Sequence, residues 1–323
     1  MGEAGRRRAA VRILFWGTPA FAVPSLRALD DEGFEIVGVV TQPDRPAGRG
    51  RRMTASPIKE VAGELGLELI APERPRTEEF IAEIEALEPD LSVVVAYGHI
   101  LTARVLDVPA RGSINVHASL LPELRGAAPI NWALIRGHQK TGVTVMRMVQ
   151  AMDAGPVIHQ VEEPILADET AAELSIRLSE VGAAALVEAL ALMAGGQHRE
   201  VEQNHDLATY APKVDRQTAR VDWSRPAHEI GRLVRGMDDV PGAWTTLDGD
   251  PVKVFRPLRA GVAAAGGVGD SAPGTIVSAN GGLEVATGDG ALALGEVQPA
   301  GGRRMPAAAW VHGRRIEVGR RFE

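Results

Sequence analysis

Short apolar runs alternate with amphipathic segments through the first two hundred residues of the chain. The runs with the length of buried strands are 11–16, 35–40, 91–96, 113–117 and 141–148. Helical spacing of apolar residues appears at 19–29, at 57–65 and, over a longer stretch, at 170–193. Strands that are buried on both faces and alternate with helices are typical of a doubly wound, mostly parallel sheet. The pattern therefore predicts an α/β fold for this part of the chain.

The pattern changes after the glycines at 195 and 196, which end the long helix. Beyond a polar stretch, short strand-like pieces separated by Gly-rich turns follow, at 251–255, 274–277, 282–286 and 291–294. They predict a smaller, β-rich C-terminal domain, which we interpret as a barrel. The predicted organisation is a disordered tail over 1–10, a first domain over 11–194, a linker over 195–212 and a second domain over 213–323.

Composition narrows the class of protein. The chain has 323 residues, 45% of them apolar, and a formal net charge of −7, which is typical of a globular protein of about two domains. It has no cysteine, which excludes disulfides and thiolate metal sites, and its histidines show no zinc-binding spacing. We expect no catalytic metal. We also expect no membrane-spanning stretch and no signal peptide, and hence a cytoplasmic protein.

Charge is distributed unevenly along the chain. Residues 207–323 contain 15 Lys and Arg against 13 Asp and Glu, whereas the rest of the chain contains 20 against 29. Arginine pairs at 303–304, 314–315 and 320–321 are suited to phosphate contacts, but charge alone equally fits a solvated basic surface.

A Pro- and Gly-rich loop at 41–52 concentrates four arginines, and it is far longer than a usual connection between a strand and a helix. The four are Arg45, Arg49, Arg51 and Arg52. Guanidinium groups on such a loop can bind the phosphates and stack on the bases of a bent or single-stranded RNA end. A solvated insertion explains the same composition, so both interpretations stay open on the residues alone.

Two polar side chains lie in the last positions of the predicted strand at 113–117. A period of two places Asn115 and His117 on one face, at the carboxyl end of the strand, where open α/β sheets bind ligands. Asn can donate to a developing oxyanion and His can move a proton near neutral pH, and Asp153, after the next strand, could meet His117 across the crevice. The alternatives are a hydrogen-bonded structural pair and an Asx-turn residue at Asp153. We interpret 125–129 as a shaped loop rather than a helix start.

The turn after the first strand, Gly17-Thr18-Pro19, lacks the second and third glycines of the dinucleotide fingerprint, so we expect no NAD.

Taken together, the motifs of the chain resemble those of the methionyl-tRNA formyltransferase family. They are GTP at 17–19, TQPDRPAGRG at 41–50, VVAYG at 94–98, INVHASLLP at 114–122, RGAAPI at 125–130 and MDAGP at 152–156.

The resemblance implies a Rossmann-like catalytic domain and an OB-like C-terminal domain that binds tRNA. It implies transfer of a formyl group from 10-formyltetrahydrofolate to the amino group of methionine on initiator tRNA, for translation initiation. Asn115, His117 and Asp153 match the catalytic residues of the family. The folate-contacting segment matches Ser119, Leu120, Leu121 and Pro122, and Arg49 lies in the loop that enters the acceptor-stem end.

Two other functions compete with this one. A formyltransferase acting on a sugar-nucleotide amine or on glycinamide ribotide would share Asn115, His117 and Asp153 but would not need the arginine loop or the second domain. An RNA-binding module without catalysis would explain the arginines but not the polar residues at the strand end. We expect a monomer whose partners are the folate co-substrate and the initiator tRNA, without membrane association.

Overall fold

The computed structural model describes residues 11–47, 52–258, 271–280 and 282–323. These residues form two compact units. The first contains the chain up to Ala127 together with 142–163 and 176–210, and the second contains 128–141, 164–175 and 211–323. The predicted tail at 1–10 lies outside the described residues, and the predicted domain and linker boundaries stay predictions.

A seven-stranded sheet forms the centre of the first unit. Its strands are β1 (Arg12–Gly17), β2 (Glu35–Val40), β5 (Leu69–Ile70), β6 (Leu91–Val95), β7 (Ser113–His117), β8 (Lys140–Arg147) and β9 (Val157–Pro164). The strand order is β5-β2-β1-β6-β7-β8-β9. Every pair from β5 to β7 is parallel, and β8 runs antiparallel to β7. The predicted α/β fold with a mostly parallel sheet is confirmed.

Apolar side chains on both faces explain why these runs become central strands. Ile13, Leu14, Phe15 and Trp16 of β1 are all fully buried. The Trp16 ring contacts other aromatic rings edge-on, and its indole nitrogen donates to Ser92 Oγ at 3.0 Å. A buried indole N–H is therefore satisfied within the core.

Helices are present in both units. They are α1 (Val23–Asp31), α2 (Pro57–Leu65), α3 (Glu78–Ala86), α4 (Ala103–Leu106), α5 (Pro129–Ile135), α6 (Ala171–Gly195), α7 (Ala227–Gly236) and α8 (Ala307–Arg314). Local signals set their ends: Ser56 Oγ caps α2 by accepting from Lys59 N, and Gly66 ends it with φ of +69°. The interpretation of 125–129 as a loop was wrong at Pro129, where α5 begins. Proline is compatible with the first helical turn because the N–H it lacks has no intrahelical partner there.

Helix α6 is 25 residues long, and by length and composition alone it meets the criteria for crossing a membrane. This differs from the expectation that no stretch of the chain would do so. Gly182 of the helix packs on the sheet, since a Cβ built on it would lie 3.2 Å from Val116. Leu178 and Leu186 are fully buried. A helix packed in a protein core passes the same test.

The antiparallel direction of β8 affects the chain that follows it. Arg147, the last residue of β8, lies opposite Ile114 near the start of β7, so the chain must turn back to approach His117. Gly155 allows this return, because a Cβ there would lie 2.0 Å from the carbonyl oxygen of Arg147. A side chain at position 155 would push the two backbones apart.

The second unit contains an antiparallel sheet of six strands. They are β10 (Ala243–Leu247), β11 (Asp250–Leu258), β12 (Ile276–Ser278), β13 (Leu283–Ala286), β14 (Ala291–Pro299) and β15 (Met305–Pro306). In its core the ring of Phe322 stacks between Trp223 and Trp310, with centroids 5.7 and 6.3 Å away. The predicted small β-rich domain is confirmed, although the sequence pattern did not reveal α7, α8 or β10.

Candidate active site

Strand β7 carries two of the predicted site residues. Asn115 and His117 are two positions apart on the strand and share one face, opposite Met146 and Thr144 of β8. Asn115 is half-buried, and within the described part of the chain its side-chain amide forms no hydrogen bond. Asn115 therefore offers an uncommitted donor and acceptor next to a buried imidazole.

The ring of His117 is buried, with 6% of the residue exposed. Its Nε2 lies 3.0 Å from the carbonyl oxygen of Leu124. Because a carbonyl oxygen can only accept, Nε2 carries the hydrogen in this contact. The other ring nitrogen, Nδ1, is then the atom that can take or give a proton.

Asp153 faces that second nitrogen. Its Oδ2 lies 3.8 Å from His117 Nδ1 and accepts a hydrogen bond of 2.8 Å from the backbone N–H of Gly126. The backbone of Asp153 adopts φ of +50°, a left-handed conformation that few residues other than glycine take up. The structure thus brings together His117 and Asp153, which are far apart in the sequence, on the side of β7 that also carries Asn115.

The predicted folate segment, 119–122, follows β7 and is held in place by hydrogen bonds to neighbouring residues. Ser119 is fully buried, and its hydroxyl donates to the carbonyl of Glu123 at 2.6 Å. Thr144 Oγ1 donates to the Ser119 carbonyl and accepts from Leu121 N. Ser119 therefore has an internal partner, while Leu120 and Pro122 are half-exposed and available to a ligand.

Three loops at the carboxyl ends of β1, β2 and β6 meet at one carbonyl group. The Tyr97 carbonyl accepts from Thr18 Oγ1 at 3.0 Å and from Gln42 Nε2 at 2.8 Å. The Tyr97 hydroxyl is buried and unbonded among the described residues, and burial raises its pKa to about 12. The phenol is therefore protonated at neutral pH. The hydrogen bond from Gln42 to the Tyr97 carbonyl attaches the segment that leads into the arginine loop to the loop after β6.

The arginine loop begins and ends as a hairpin. Strands β3 (Arg45–Ala47) and β4 (Arg52–Thr54) pair antiparallel, with Arg45 opposite Thr54. Arg45 is exposed. Arg49 and Arg51 lie outside the described residues, and the structure describes only the backbone of Arg52. At the base of this hairpin Lys59 Nζ pairs with Asp44 at 2.8 Å.

The predicted arginine pairs of the second unit differ in their surroundings. Arg304 is bonded inside the unit to Asp238 and Glu296, and Arg320 is paired with Asp248. Sequence reasoning missed a different arginine-lined groove of about 460 Å³. Its basic residues are Arg136, Arg220, Arg225 and Arg232. Nearby, Arg216 lies over the ring of Trp244 at 4.4 Å, an aromatic and cationic combination that suits RNA.

Two further buried residues of the site were not among the predicted site residues. Arg125 is 4% exposed, and its guanidinium donates to Gln203, which is 7% exposed. Gln203 in turn donates to the carbonyls of Asp153 and Gly155. No local pattern reveals such partners, because Arg125 and Gln203 are 78 residues apart. Among the described residues, no group of three or more His, Cys, Asp or Glu could hold a metal ion.

Comparison with known proteins identifies the family of the chain. The family model for formyl transferase matches residues 10–190, and the model for the formyl transferase C-terminal domain matches residues 213–315. Solved structures share the fold. HypX from Aquifex aeolicus in complex with tetrahydrofolic acid has a TM-score of 0.64 at 19% identity over 96% of this chain and 48% of its own. An N-formyltransferase from Helicobacter canadensis, solved with folinic acid and dTDP-3-aminofucose, has a TM-score of 0.64 at 15% identity over 91% of this chain and all of its own.

Sequence relatives are much closer. The methionyl-tRNA formyltransferase of Halorhodospira halophila is 48% identical over 96% of this chain and 98% of its own length. The enzymes of the same name from Pseudomonas fluorescens and Bacillus velezensis are 48% and 43% identical, over 91% and 95% of this chain and 91% and 96% of their own lengths. Since both family models match and the identities extend over nearly the whole chain, this protein belongs to the formyl transferase family.

Proposed function

We propose that this protein transfers the formyl group of 10-formyltetrahydrofolate to the α-amino group of methionine on initiator tRNA. The observation that carries the proposal is identity of 43–48% over nearly the full length of proteins named methionyl-tRNA formyltransferase. The neighbours that formylate sugars share only 15–21% identity, which supports the fold but not their substrate.

The donor set beside β7 fits a formyl group. A formyl oxygen needs hydrogen-bond donors that are in place before charge develops on it. Asn115 offers an unbonded amide among the described residues, and the protonated His117 ring would offer Nδ1–H, since Nε2 is engaged with Leu124. Leu120 and Pro122 supply half-exposed apolar surface for a flat ring. The folate supplies the activated formyl group and a nitrogen that can leave.

The main task of these residues is to stabilise charge rather than to activate the amine. An α-amino group has an ordinary pKa of about 8, so part of it is already neutral at pH 7 and can attack. As the amine adds to the formyl carbon, negative charge builds on the formyl oxygen. We assign Asn115 and His117 to that oxygen, because both lie on one face of β7 near its carboxyl end, and open α/β sheets bind ligands at that end of their strands.

Asp153 handles the proton of this reaction. The amine must lose one proton and the departing folate nitrogen must gain one, so the net transfer is from one nitrogen to the other. The Asp153 carboxylate, 3.8 Å from His117 Nδ1, can stabilise the charged ring and accept the amine proton through a water. The return of that proton to the folate nitrogen completes the balance.

Recognition of the RNA is assigned to arginines of the loop at 41–52 and of the second unit. Arg45, Arg49, Arg51 and Arg52 would contact the acceptor-stem end, and the arginine-lined groove of the second unit would contact phosphates further along the molecule. Each phosphate contact releases counterions, so binding of tRNA should weaken steeply as salt increases.

One assay separates this function from its competitors. The purified protein is mixed with labelled 10-formyltetrahydrofolate and, in parallel, with initiator methionyl-tRNA, an amino-sugar nucleotide or glycinamide ribotide. We expect label on the methionine amino group alone. Label on either small amine would overturn the substrate assignment, and tRNA binding without label on any acceptor would favour a binding protein.

The expected oligomeric state and location belong to the same proposal. A monomer without membrane association would elute at the mass of one 34.3 kDa chain and would not sediment with vesicles. Light scattering on the eluted protein distinguishes this from a dimer. Fractionation of the source cells, with immunodetection of the chain, tests the cytoplasmic location.

A further inference from the structure

The side-chain amide of Gln203 uses all of its hydrogen-bonding positions inside the first unit. Nε2 donates to the carbonyl oxygens of Asp153 at 2.9 Å and Gly155 at 2.7 Å. Oε1 accepts from Arg125 Nε at 3.1 Å and Arg125 Nη2 at 2.5 Å. Two donors and two acceptors are the full capacity of an amide. The network therefore also fixes its orientation, with the oxygen toward the guanidinium and the nitrogen toward the two carbonyls.

Arg125, the partner of that oxygen, is a buried cation held by neutral groups. Its Nη2 also lies 2.9 Å from His205 Nδ1, and its backbone N–H donates to the carbonyl of Thr209. Within the described residues no carboxylate pairs with it. Loss of the amide oxygen would leave a buried guanidinium short of acceptors, so the contact with Gln203 constrains where Arg125 lies.

The two ends of the amide act on Asp153 by two separate connections. One arm bonds directly to the Asp153 backbone carbonyl. The other holds Arg125, and the next residue along the chain, Gly126, donates its N–H to the Asp153 carboxylate at 2.8 Å. One buried side chain thus fixes both the main chain of Asp153 and the donor that orients its carboxylate.

Backbone strain explains why such a support is needed. Asp153 has φ of +50° and Leu124, whose carbonyl binds His117 Nε2, has φ of +58°. Each left-handed non-glycine residue costs on the order of 1 kcal/mol or more and persists only where its surroundings hold it. Both residues that face the His117 ring are therefore in conformations the free chain would avoid.

We infer that Gln203 is a positioning residue, which holds Asp153 at its place beside His117 Nδ1 by bonding to the 153–155 backbone and to Arg125 at once. The inference rests on the proposed function of Asp153 in formyl transfer. Gln203 is assigned no contact with either substrate. Its effect passes through Asp153, and this distinguishes it from a residue that only stabilises the fold.

The test compares two substitutions at this position. Gln203→Met removes both arms of the network. Gln203→Glu keeps the contact with Arg125 and adds charge pairing, but it places an oxygen against the carbonyls of Asp153 and Gly155. Both variants should lower kcat by about tenfold or more, while KM for each substrate changes less than twofold, since a small displacement of a reacting group affects turnover strongly. Gln298→Met, which removes an amide donating to the Gly302 carbonyl in the second unit, is the matched control and should keep the wild-type kcat.

A double-mutant cycle with Asp153→Asn supplies the decisive readout. If Gln203 acts through Asp153, then Gln203→Met should cost less than a further twofold in kcat once Asp153 is replaced. Full multiplication of the two losses would overturn the inference, as would wild-type kcat in both Gln203 variants. If Gln203→Met does not fold, Gln203→Glu decides alone, because it retains the partner of the buried guanidinium.

A measurement without catalysis separates failure of this inference from failure of the proposed function. The ring nitrogen resonances of His117 should move in Gln203→Met and Gln203→Glu in the same direction as in Asp153→Asn. If the wild-type protein formylates no tRNA, the function fails while the resonances still test the positioning. Resonances that move in Asp153→Asn but not in either Gln203 variant would refute it.

Discussion

Two regions of the molecule bury charged side chains and satisfy them in opposite ways. In the second unit Asp238, 4% exposed, accepts from both Nη atoms of Arg304 at 2.7 and 3.0 Å, and Arg304 also bonds to Glu296 and lies 4.1 Å over the Phe255 ring. In the first unit Arg125 is held by an amide and an imidazole, and the Asp153 carboxylate by a backbone N–H. In the second unit, opposite charges pair with each other. In the first unit, Arg125 and Asp153 are hydrogen-bonded to neutral groups.

The difference separates a structural site from a reactive one. When a carboxylate accepts two hydrogen bonds from a guanidinium, both of its oxygens are occupied. Such a carboxylate is not available to accept a proton from a reacting group. Burial lowers the pKa of the Arg304 guanidinium, but the hydrogen bonds to Asp238 and Glu296 outweigh it and raise the pKa above its usual range. Asp153 and His117 are each hydrogen-bonded to one neutral backbone group, the Gly126 N–H and the Leu124 carbonyl, so the other polar atoms of the two side chains stay available to reacting groups. Substitutions should therefore affect turnover in the first region and stability in the second.

The largest expected effect is in the first region. Asp153→Ala and Asn115→Ala should each abolish measurable turnover, a loss of about a thousandfold or more, because the proton acceptor or the oxyanion donor is removed. Thermal unfolding should change little, since the Asp153 carboxylate accepts one backbone bond and the Asn115 amide has no partner among the described residues. Formylation rates and a melting curve on each variant check this, and retained turnover in either would refute its assigned role.

The second region should show the reverse behaviour. Arg304→Met leaves the Asp238 carboxylate buried without its partner, which should destabilise the unit by about 3 kcal/mol. The kcat of the protein that remains folded should be close to that of the wild type. Urea unfolding gives the stability. A midpoint equal to that of the wild type would contradict the structural role assigned to the ion pair.

The arginines of the 41–52 loop provide a third contrast, in binding rather than in turnover or stability. Replacement of Arg45 and Arg52 together by Ala should raise KM for tRNA by about tenfold and leave kcat and KM for folate unchanged. The slope of log KM for tRNA against log salt should also become shallower, because fewer phosphates are neutralised. The same substitutions at Arg314 and Arg315, in the second unit, provide a comparison of equal charge. An unchanged salt slope would exclude the hairpin from RNA binding.

The smallest expected effect is at an exposed carboxylate of the second unit. The backbone N–H of Thr170 and then Arg256 hold the pKa of Glu173 below its usual 4.5. Because the pKa of Glu173 is lower in the folded state than in the unfolded state, its ionised form stabilises the fold at neutral pH. This contribution is lost as pH falls through the folded-state pKa. Glu173→Gln should therefore destabilise the protein by less than about 1 kcal/mol at pH 7, and the difference from wild type should disappear once the pH falls below the folded-state pKa of Glu173. A difference that persisted at acidic pH would rule out the charge as its source.

The sequence predicted the architecture because its signals are local. Periodicity located β2 and α2 at their observed bounds, since buried strands and capped helices leave a pattern within ten residues. It missed β5, which has two residues, and β9, which alternates between partly buried and exposed positions. Periodicity also carries no information on strand direction, so the antiparallel course of β8 appeared only in the structure.

The candidate site also contains residues that a local sequence pattern indicates and residues that no local pattern indicates. Asn115 and His117 follow from the period of two at a strand end, and the position of Asp153 just after the next strand led us to expect it near His117, although β8 runs antiparallel and the chain reaches His117 only by turning back. Gln203 leaves no pattern in the sequence, because its partners Asp153 and Arg125 are 50 and 78 residues away. Hydrogen bonds between residues so distant in sequence depend on the folded backbone, and a single sequence does not encode them in any local motif.

Single-turnover transfer of labelled formyl from 10-formyltetrahydrofolate to initiator methionyl-tRNA, by the wild type and by Asp153→Asn, tests the central claim most directly. We expect label on the methionine amino group with the wild type, and a rate about a thousandfold lower with the variant at equal tRNA binding. Equal rates for the two proteins, or no transfer to the tRNA by the wild type, would contradict it.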